Sequence, residues 1–148
     1  MKTLPLAALV LSGFSLGAAP PPPPAKATET VTVVVSALAS TQSVVKLNFY
    51  NAADKFLQKD QQAFRVVVKP EGKTEISVPV ELTPGEWAVA LTQDTNNNDK
   101  LDKNFLGIPT EPYAFSNNVR PRFAAPKFEE CKFMVSGPGK VVTITSWN

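Results

Sequence analysis

Thr30-Val31-Thr32-Val33-Val34-Val35-Ser36 places apolar residues at 31, 33 and 35, and Val44-Val45-Lys46-Leu47-Asn48-Phe49-Tyr50 places them at 45, 47 and 49. A period of two is the signature of a half-buried strand, because successive side chains point to opposite faces. The same period returns at Phe64, Val66 and Val68, at Ile76, Val78 and Val80, and at Trp87, Val89 and Leu91. It closes at Cys131, Phe133 and Val135 and at Val142 and Ile144. About seven strands result, enough for an all-β sandwich.

Between the second and third strands, Asn51-Ala52-Ala53-Asp54 leads into Lys55-Phe56-Leu57 with capping chemistry, which predicts one short helix. Pro70-Glu71-Gly72-Lys73 and Thr83-Pro84-Gly85-Glu86 carry the Pro and Gly of turns and predict hairpin or inter-sheet connections. From Thr92 to about Pro126 the alternation stops. A connection that long inside a compact domain is usually functional, so this loop region is where a site is expected.

The chain has 148 residues, 43% hydrophobic and 19% charged, which is room for one ordinary domain. Its net charge of +2 argues for neither a nucleic-acid nor a membrane-surface partner. Met1-Lys2-Thr3 followed by the apolar run Leu4 to Leu16 reads as a signal peptide over 1–17, too short to span a bilayer. Export to the periplasm or beyond is the expectation, with no stable membrane insertion after cleavage. Residues 18–28 hold five consecutive prolines, Pro20 to Pro24, and read as a stiff polyproline spacer ahead of a single domain over 29–148. Cys131 is the one cysteine, so no intrachain disulfide can form. Its parity with Phe133 and Val135 predicts a buried, inert thiol, since no histidine exists to activate it.

Asp94-Thr95-Asn96-Asn97-Asn98-Asp99-Lys100-Leu101-Asp102 spaces oxygen side chains at alternate positions. A tightly curled loop can aim Asp94, Asn96 and Asn98 at one centre, with the Lys100 carbonyl and Asp102 completing the EF-hand-like order of donors for calcium. Two positions depart from that pattern: Asp99 stands where a glycine is usual, and Phe105 where the closing acid is usual. Glu111 is the candidate for the missing carboxylate if the chain folds back. The competing reading is a solvated polar turn, because Asn and Asp favour turns for their own backbone bonding.

Trp87 to Leu91, the Asp94–Asp102 loop, Phe105-Leu106-Gly107-Ile108-Pro109, Glu111, Tyr113, Phe115-Ser116-Asn117-Asn118 and Pro126-Lys127-Phe128 together resemble an exported bacterial family, domain of unknown function 2141. The resemblance runs from about Val31 to Thr145. It implies an Ig-like or transthyretin-like sandwich, secreted or periplasmic, and implies no enzymatic activity. Leu82 to Trp87 also resembles the Pro-Gly-aromatic turn-to-strand signature of transthyretin-like sandwiches. The family usually has glycines between the loop's oxygen residues, where this chain has Asn97 and Asp99.

Tyr113, Phe115, Phe123 and Phe128 interleave with Arg120, Arg122 and Lys127, a mix that either caps the core or stacks a ligand and holds an anion. Capping is the favoured expectation. The absence of histidine removes Ser-His and Cys-His catalysis and a typical zinc site. The resulting expectation is a calcium-loop module that binds an envelope or extracellular ligand, with no catalytic residues assigned. The alternative is a carboxylate-based hydrolase of an envelope glycan, acting through residues such as Glu111, Glu129 and Glu130.

Overall fold

Eight strands pair into two sheets in a computed structural model that describes residues 26–147. The strands are β1 (Glu29–Ser36), β2 (Val44–Tyr50), β3 (Phe64–Val68), β4 (Ile76–Leu82), β5 (Gly85–Asp94), β6 (Tyr113–Phe115), β7 (Phe133–Val135) and β8 (Lys140–Thr145). The segment expected to be a signal peptide and the proline run lie outside the described residues.

The alternating segments become strands because each can put its apolar parity on one surface. Antiparallel β1–β4 pairing sets Val31, Val33 and Val35 against Val80, Val78 and Ile76. Parallel β1–β8 pairing adds Val142 and Ile144 to the same rows. In the second sheet, ordered β3-β2-β5-β6, Val66, Leu47, Leu91 and Ala114 form one cross-strand row. These two inner faces meet in the main core, with Phe49, Val89 and Trp87 also packed into it. Cross-strand apolar rows of this kind are the main stabilising unit of a sandwich.

Pro70–Lys73 and Thr83–Glu86 both carry the chain from one sheet to the other. In the first, Lys73 N–H bonds the Pro70 carbonyl at 3.1 Å while Glu71 and Gly72 sit at φ 53° and 86°. Glycine takes that left-handed conformation without a Cβ penalty. In the second, the Trp87 indole donates to the Thr83 carbonyl at 2.9 Å, so the ring is buried with its one polar atom satisfied.

Three expectations are corrected. Asn51 to Leu57 forms hydrogen-bonded turns, not a helix, because Leu57 at φ 59° ends any propagation after Phe56 is drawn into a buried cluster. Among the described residues, the one short α-helix is instead α1 (Phe128–Cys131), where the Glu130 carboxylate accepts the Lys127 N–H at 2.7 Å. Cys131 is buried as expected, but at the end of α1 and not on a strand. Finally, β6 lies inside the region expected to be loop; Tyr113 and Phe115 pair with Thr92 and Ala90 on β5.

Both β6 and β7 pair with β5, the first at Ala90–Thr92 and the second at Gly85–Trp87. Between them the chain leaves the ladder through a 3-10 turn at Ser116–Asn118. The Ser116 hydroxyl accepts the Val89 N–H at 2.9 Å and donates to the Cys131 carbonyl, standing in for the missing strand.

Candidate functional site

The outer face of the β3-β2-β5-β6 sheet is covered, and the long connection covers it. Tyr50, Ala88, Ala90 and Phe115 on that face pack with Phe56, Phe128 and Cys131 in a second buried cluster. Phe56 meets Tyr50, Phe115 and Phe128 edge to face, with ring centroids 5.2, 6.4 and 5.8 Å apart. Phe115 and Phe128 therefore cap a core, as expected, whereas Phe123 is fully exposed. Arg120 lies over the Trp147 ring at 5.5 Å.

The rest of that face carries polar groups. Lys46 pairs across the ladder with Thr92, which places it diagonal to Asp94, two residues further along β5 on the same side. The Lys46 ammonium bonds Asp94 at 2.7 Å and Asp99 at 2.6 Å. Lys46 and Asp94 are both buried. Burial pushes the Lys46 pKa down, but the bonds and charges of Asp94 and Asp99 outweigh it and hold the ammonium above its ordinary value. The same Lys46 bond holds the Asp94 carboxyl below the usual range against the opposing effect of burial. Asp99, largely exposed, is lowered by Lys46 as well.

Asp94 ends β5 and starts the loop, and its two oxygens organise it. One accepts the Asn98 N–H at 3.1 Å and the other the Asp99 N–H at 2.8 Å. The Asn98 N–H is also accepted by the Asn96 side-chain oxygen at 3.2 Å, and the Lys100 N–H by the Asn98 oxygen at 2.9 Å. Both asparagine amides donate to Asp102, Asn98 at 2.9 Å. The backbone curls because Asn97 and Asp99 take φ of 57° and 62°, the left-handed region that Asn and Asp enter more easily than most residues.

Glu111 does fold back. It is buried, and its carboxylate accepts the Thr95 N–H at 2.8 Å and the Asp102 N–H at 3.3 Å, clamping the two ends of the loop. Asp94, Asn96, Asn98, Asp102 and Glu111 are thus joined by one bonding network. Lys100 contributes through its backbone while its side chain faces a groove. Among the described residues, no group of three or more His, Cys, Asp or Glu side chains is placed to hold a metal. The side-chain oxygens of this network, two asparagine amides beside three carboxylates, are hard donors, and each accepts a hydrogen bond from within it.

Past Asp102 the chain forms a small flap. Asn104 N–H bonds the Ile108 carbonyl at 2.9 Å and Thr110 N–H bonds the Asp102 carbonyl at 2.8 Å. Phe105 and Leu106 sit at its exposed tip, where the Asn104 side chain accepts the Leu106 and Ile108 N–H groups at 3.0 Å. Between this flap and the segment Pro121–Pro126 lies a groove of about 590 Å³, floored by Lys46, Asn48, Tyr50, Tyr113 and Phe115. Among the described residues, Asp99 is the one carboxylate lining it. The acids named by the hydrolase reading are engaged elsewhere: Glu129 with Lys132, Glu130 at the start of α1, and Glu111 in the loop clamp.

Sequence reasoning missed Lys46, Asn48 and Arg65. Parity could have found them: Lys46 and Asn48 interrupt an otherwise apolar strand on the side that Thr92 and Asp94 occupy in β5.

The profile of a family described as an uncharacterized protein conserved in bacteria, domain of unknown function 2141, matches residues 33–143. No curated protein and no solved structure matches the chain.

Proposed function

Since the chain belongs to the bacterial family of domain of unknown function 2141, whose description names no activity, we propose its function from its own site. It acts as an exported envelope β-sandwich module whose Asp94–Asp102 loop binds calcium and thereby braces one wall of a ligand groove. The observation that carries this reading is the bonding of Asp94, Asn96, Asn98 and Asp102 within one curled loop, with Glu111 returning from 16 residues beyond Thr95 to close it. Asp94, Asn96, Asn98, the Lys100 carbonyl, Asp102 and Glu111 would hold the ion, which supplies charge neutralisation and rigidity and no bond-making chemistry.

A second reading has its own support. The Lys46 ammonium already pairs with both Asp94 and Asp99, so the loop can close as a metal-free ion-pair turn.

Thermal melting against calcium separates them. A ligand at about a hundred times its Kd adds roughly 2.7 kcal/mol to folding stability. For a domain of this size, that corresponds to a rise of about 5 to 10 °C in Tm. Asp102→Ala abolishes the rise, because it removes a charged oxygen that neutral neighbours cannot replace. Extracellular sites can be as weak as about 1 mM, so the titration runs well above 10 mM. A flat wild-type curve to that concentration leaves the Lys46 turn standing and removes calcium. Export is tested by intact mass: loss of residues 1–17 supports it, and a full-length mass in the purified exported fraction overturns it.

A further inference from the structure

We propose that the groove beside the flap binds a single-chain anionic amphiphile, a carboxylate or phosphate head on an aliphatic body. This does not rest on calcium; it rests on what lines the groove.

Five cationic residues face it, Lys46, Arg65, Lys100, Lys103 and Arg122, against Asp99 alone. Lys46 is occupied with Asp94 and Asp99. Among the described residues, none of the other four has a carboxylate partner within ion-pair distance. The excess belongs to the groove, because the whole chain is only +2. Asn48 accepts from the Arg65 Nε at 2.7 Å, which orients the guanidinium and leaves its terminal nitrogens as the fork that recognises a carboxylate or phosphate.

The lips are apolar. Leu106 and Ile108 on the flap are 68% and 53% exposed, and Phe123 on the opposite side is 100% exposed. Large apolar side chains held in water on both sides of one groove mark a binding surface. Its volume, about 590 Å³, falls in the ~300–1,000 Å³ range of small-molecule pockets.

The floor argues against an extended peptide. It is made of side chains from β2, β5 and β6, whose backbones are paired within the sheet, and β6 is further bridged to Trp147 through the Tyr113 N–H. Among the described residues, β2 and β5 are paired on both sides, so neither offers a free edge along the floor for a peptide to extend. Uncompensated cations beside an apolar slot fit a charged head with a chain attached.

Isothermal titration of the mature protein tests this with dodecanoate and dodecyl phosphate below their micelle concentrations. The expected result is saturable 1:1 binding of at least one. Dodecyltrimethylammonium, with the same chain and the opposite charge, binds at least tenfold more weakly. Arg65→Glu combined with Arg122→Glu weakens the anion at least tenfold, and Leu106→Ser combined with Phe123→Ser weakens it several-fold. All four side chains are exposed, and unchanged melting of the variants confirms their folding. The charge-swapped ligand tests the idea with no variant at all. Absence of binding by both anions, or equal binding of the cation, overturns the proposal. Binding to phosphatidylglycerol vesicles without binding to either monomeric anion also overturns it, in favour of a membrane-surface role.

Discussion

The two sheets share one design on their inner faces and diverge on their outer ones. On the β4-β1-β8 sheet the alternation stays clean: Ser77, Pro79, Glu81, Val141 and Thr143 face water between buried neighbours. Pro79 is tolerated there because β4 is an edge strand, where a missing N–H need not break a ladder. On the other sheet, β2 is buried at nearly every position from Val45 to Tyr50, and β5 from Trp87 to Leu91. The difference is made by connections. Short turns leave the first face bare, whereas the 95–132 excursion returns over the second face and builds a cluster, a charged network and a groove. One sheet supports the fold, and the other also carries a groove on its outer face.

That contrast is testable at its deepest point, Cys131. Burial, reinforced by the Glu130 charge, pushes its thiol up to about 12, and its side chain is fully buried. Labelling by a thiol reagent at neutral pH is expected to be about a thousandfold slower in the native protein than in urea, corresponding to an opening free energy of about 4 kcal/mol. Native labelling at the denatured rate would show the cover to be loose. Phe56→Ala asks the same question energetically. If the second cluster is a true core, it costs about 3 to 4 kcal/mol by urea denaturation. A loss under 1 kcal/mol would reduce the cluster to surface decoration.

The ion pair is the next step down. Lys46→Met leaves the Asp94 carboxylate buried without its cation, a loss of about 3 kcal/mol. Thr143→Met, at an exposed outer position of the other sheet, is expected to stay within about 0.5 kcal/mol. Equal costs would erase the contrast between the faces. The pH dependence has a definite sign. Because the folded Asp94 pKa is lowered, its contribution is present above the unfolded value of about 3.9 and is lost as pH falls through the folded value. Lys46 is raised, so its contribution persists until pH rises above about 10.4 and through its folded value. Wild type therefore keeps this increment at neutral pH, and Lys46→Met shows no matching acid loss.

The sandwich was legible because burial on one face writes a period of two into the chain, as at Val31, Val33 and Val35. The second cluster was not, because strands buried on both faces lose that period. Tyr50, Ala88 and Ala90 look unremarkable until Phe56 and Phe128 are known to return to them. β6 escaped for a related reason: three residues, Tyr113 to Phe115, are too few to show a period, and their pairing depends on a partner far earlier in the chain. The loop's oxygen spacing was readable and Glu111 could be named as a candidate, but spacing could not show its return; Lys46 and Asn48 stood out by parity alone, without the pairing that sets Asp94 beside Lys46. Local patterns reach as far as local forces do.

The smallest expected effect concerns the backbone of that loop. Asn97 is exposed and sits at φ 57°. Left-handed backbone costs an ordinary L-residue about 1 to 2 kcal/mol, Asn less because its short polar side chain fits there, and glycine little. Asn97→Gly should therefore change stability by no more than about 0.5 kcal/mol, while Asn97→Val, β-branched, should lose about 1 to 2 kcal/mol. Asn118, also exposed and at φ 52°, provides the control, but its side chain accepts the Thr145 N–H at 2.7 Å. Asn118→Gly should thus cost about 0.5 to 1.5 kcal/mol through that lost bond, despite the same backbone geometry. If Asn97→Val is as well tolerated as Asn97→Gly in urea denaturation, the loop does not hold the curl that brings Asp94, Asn96 and Asn98 together. The calcium and Lys46 readings would then both lose their frame, because each needs Asp94 to bond the Asn98 and Asp99 N–H groups across that turn.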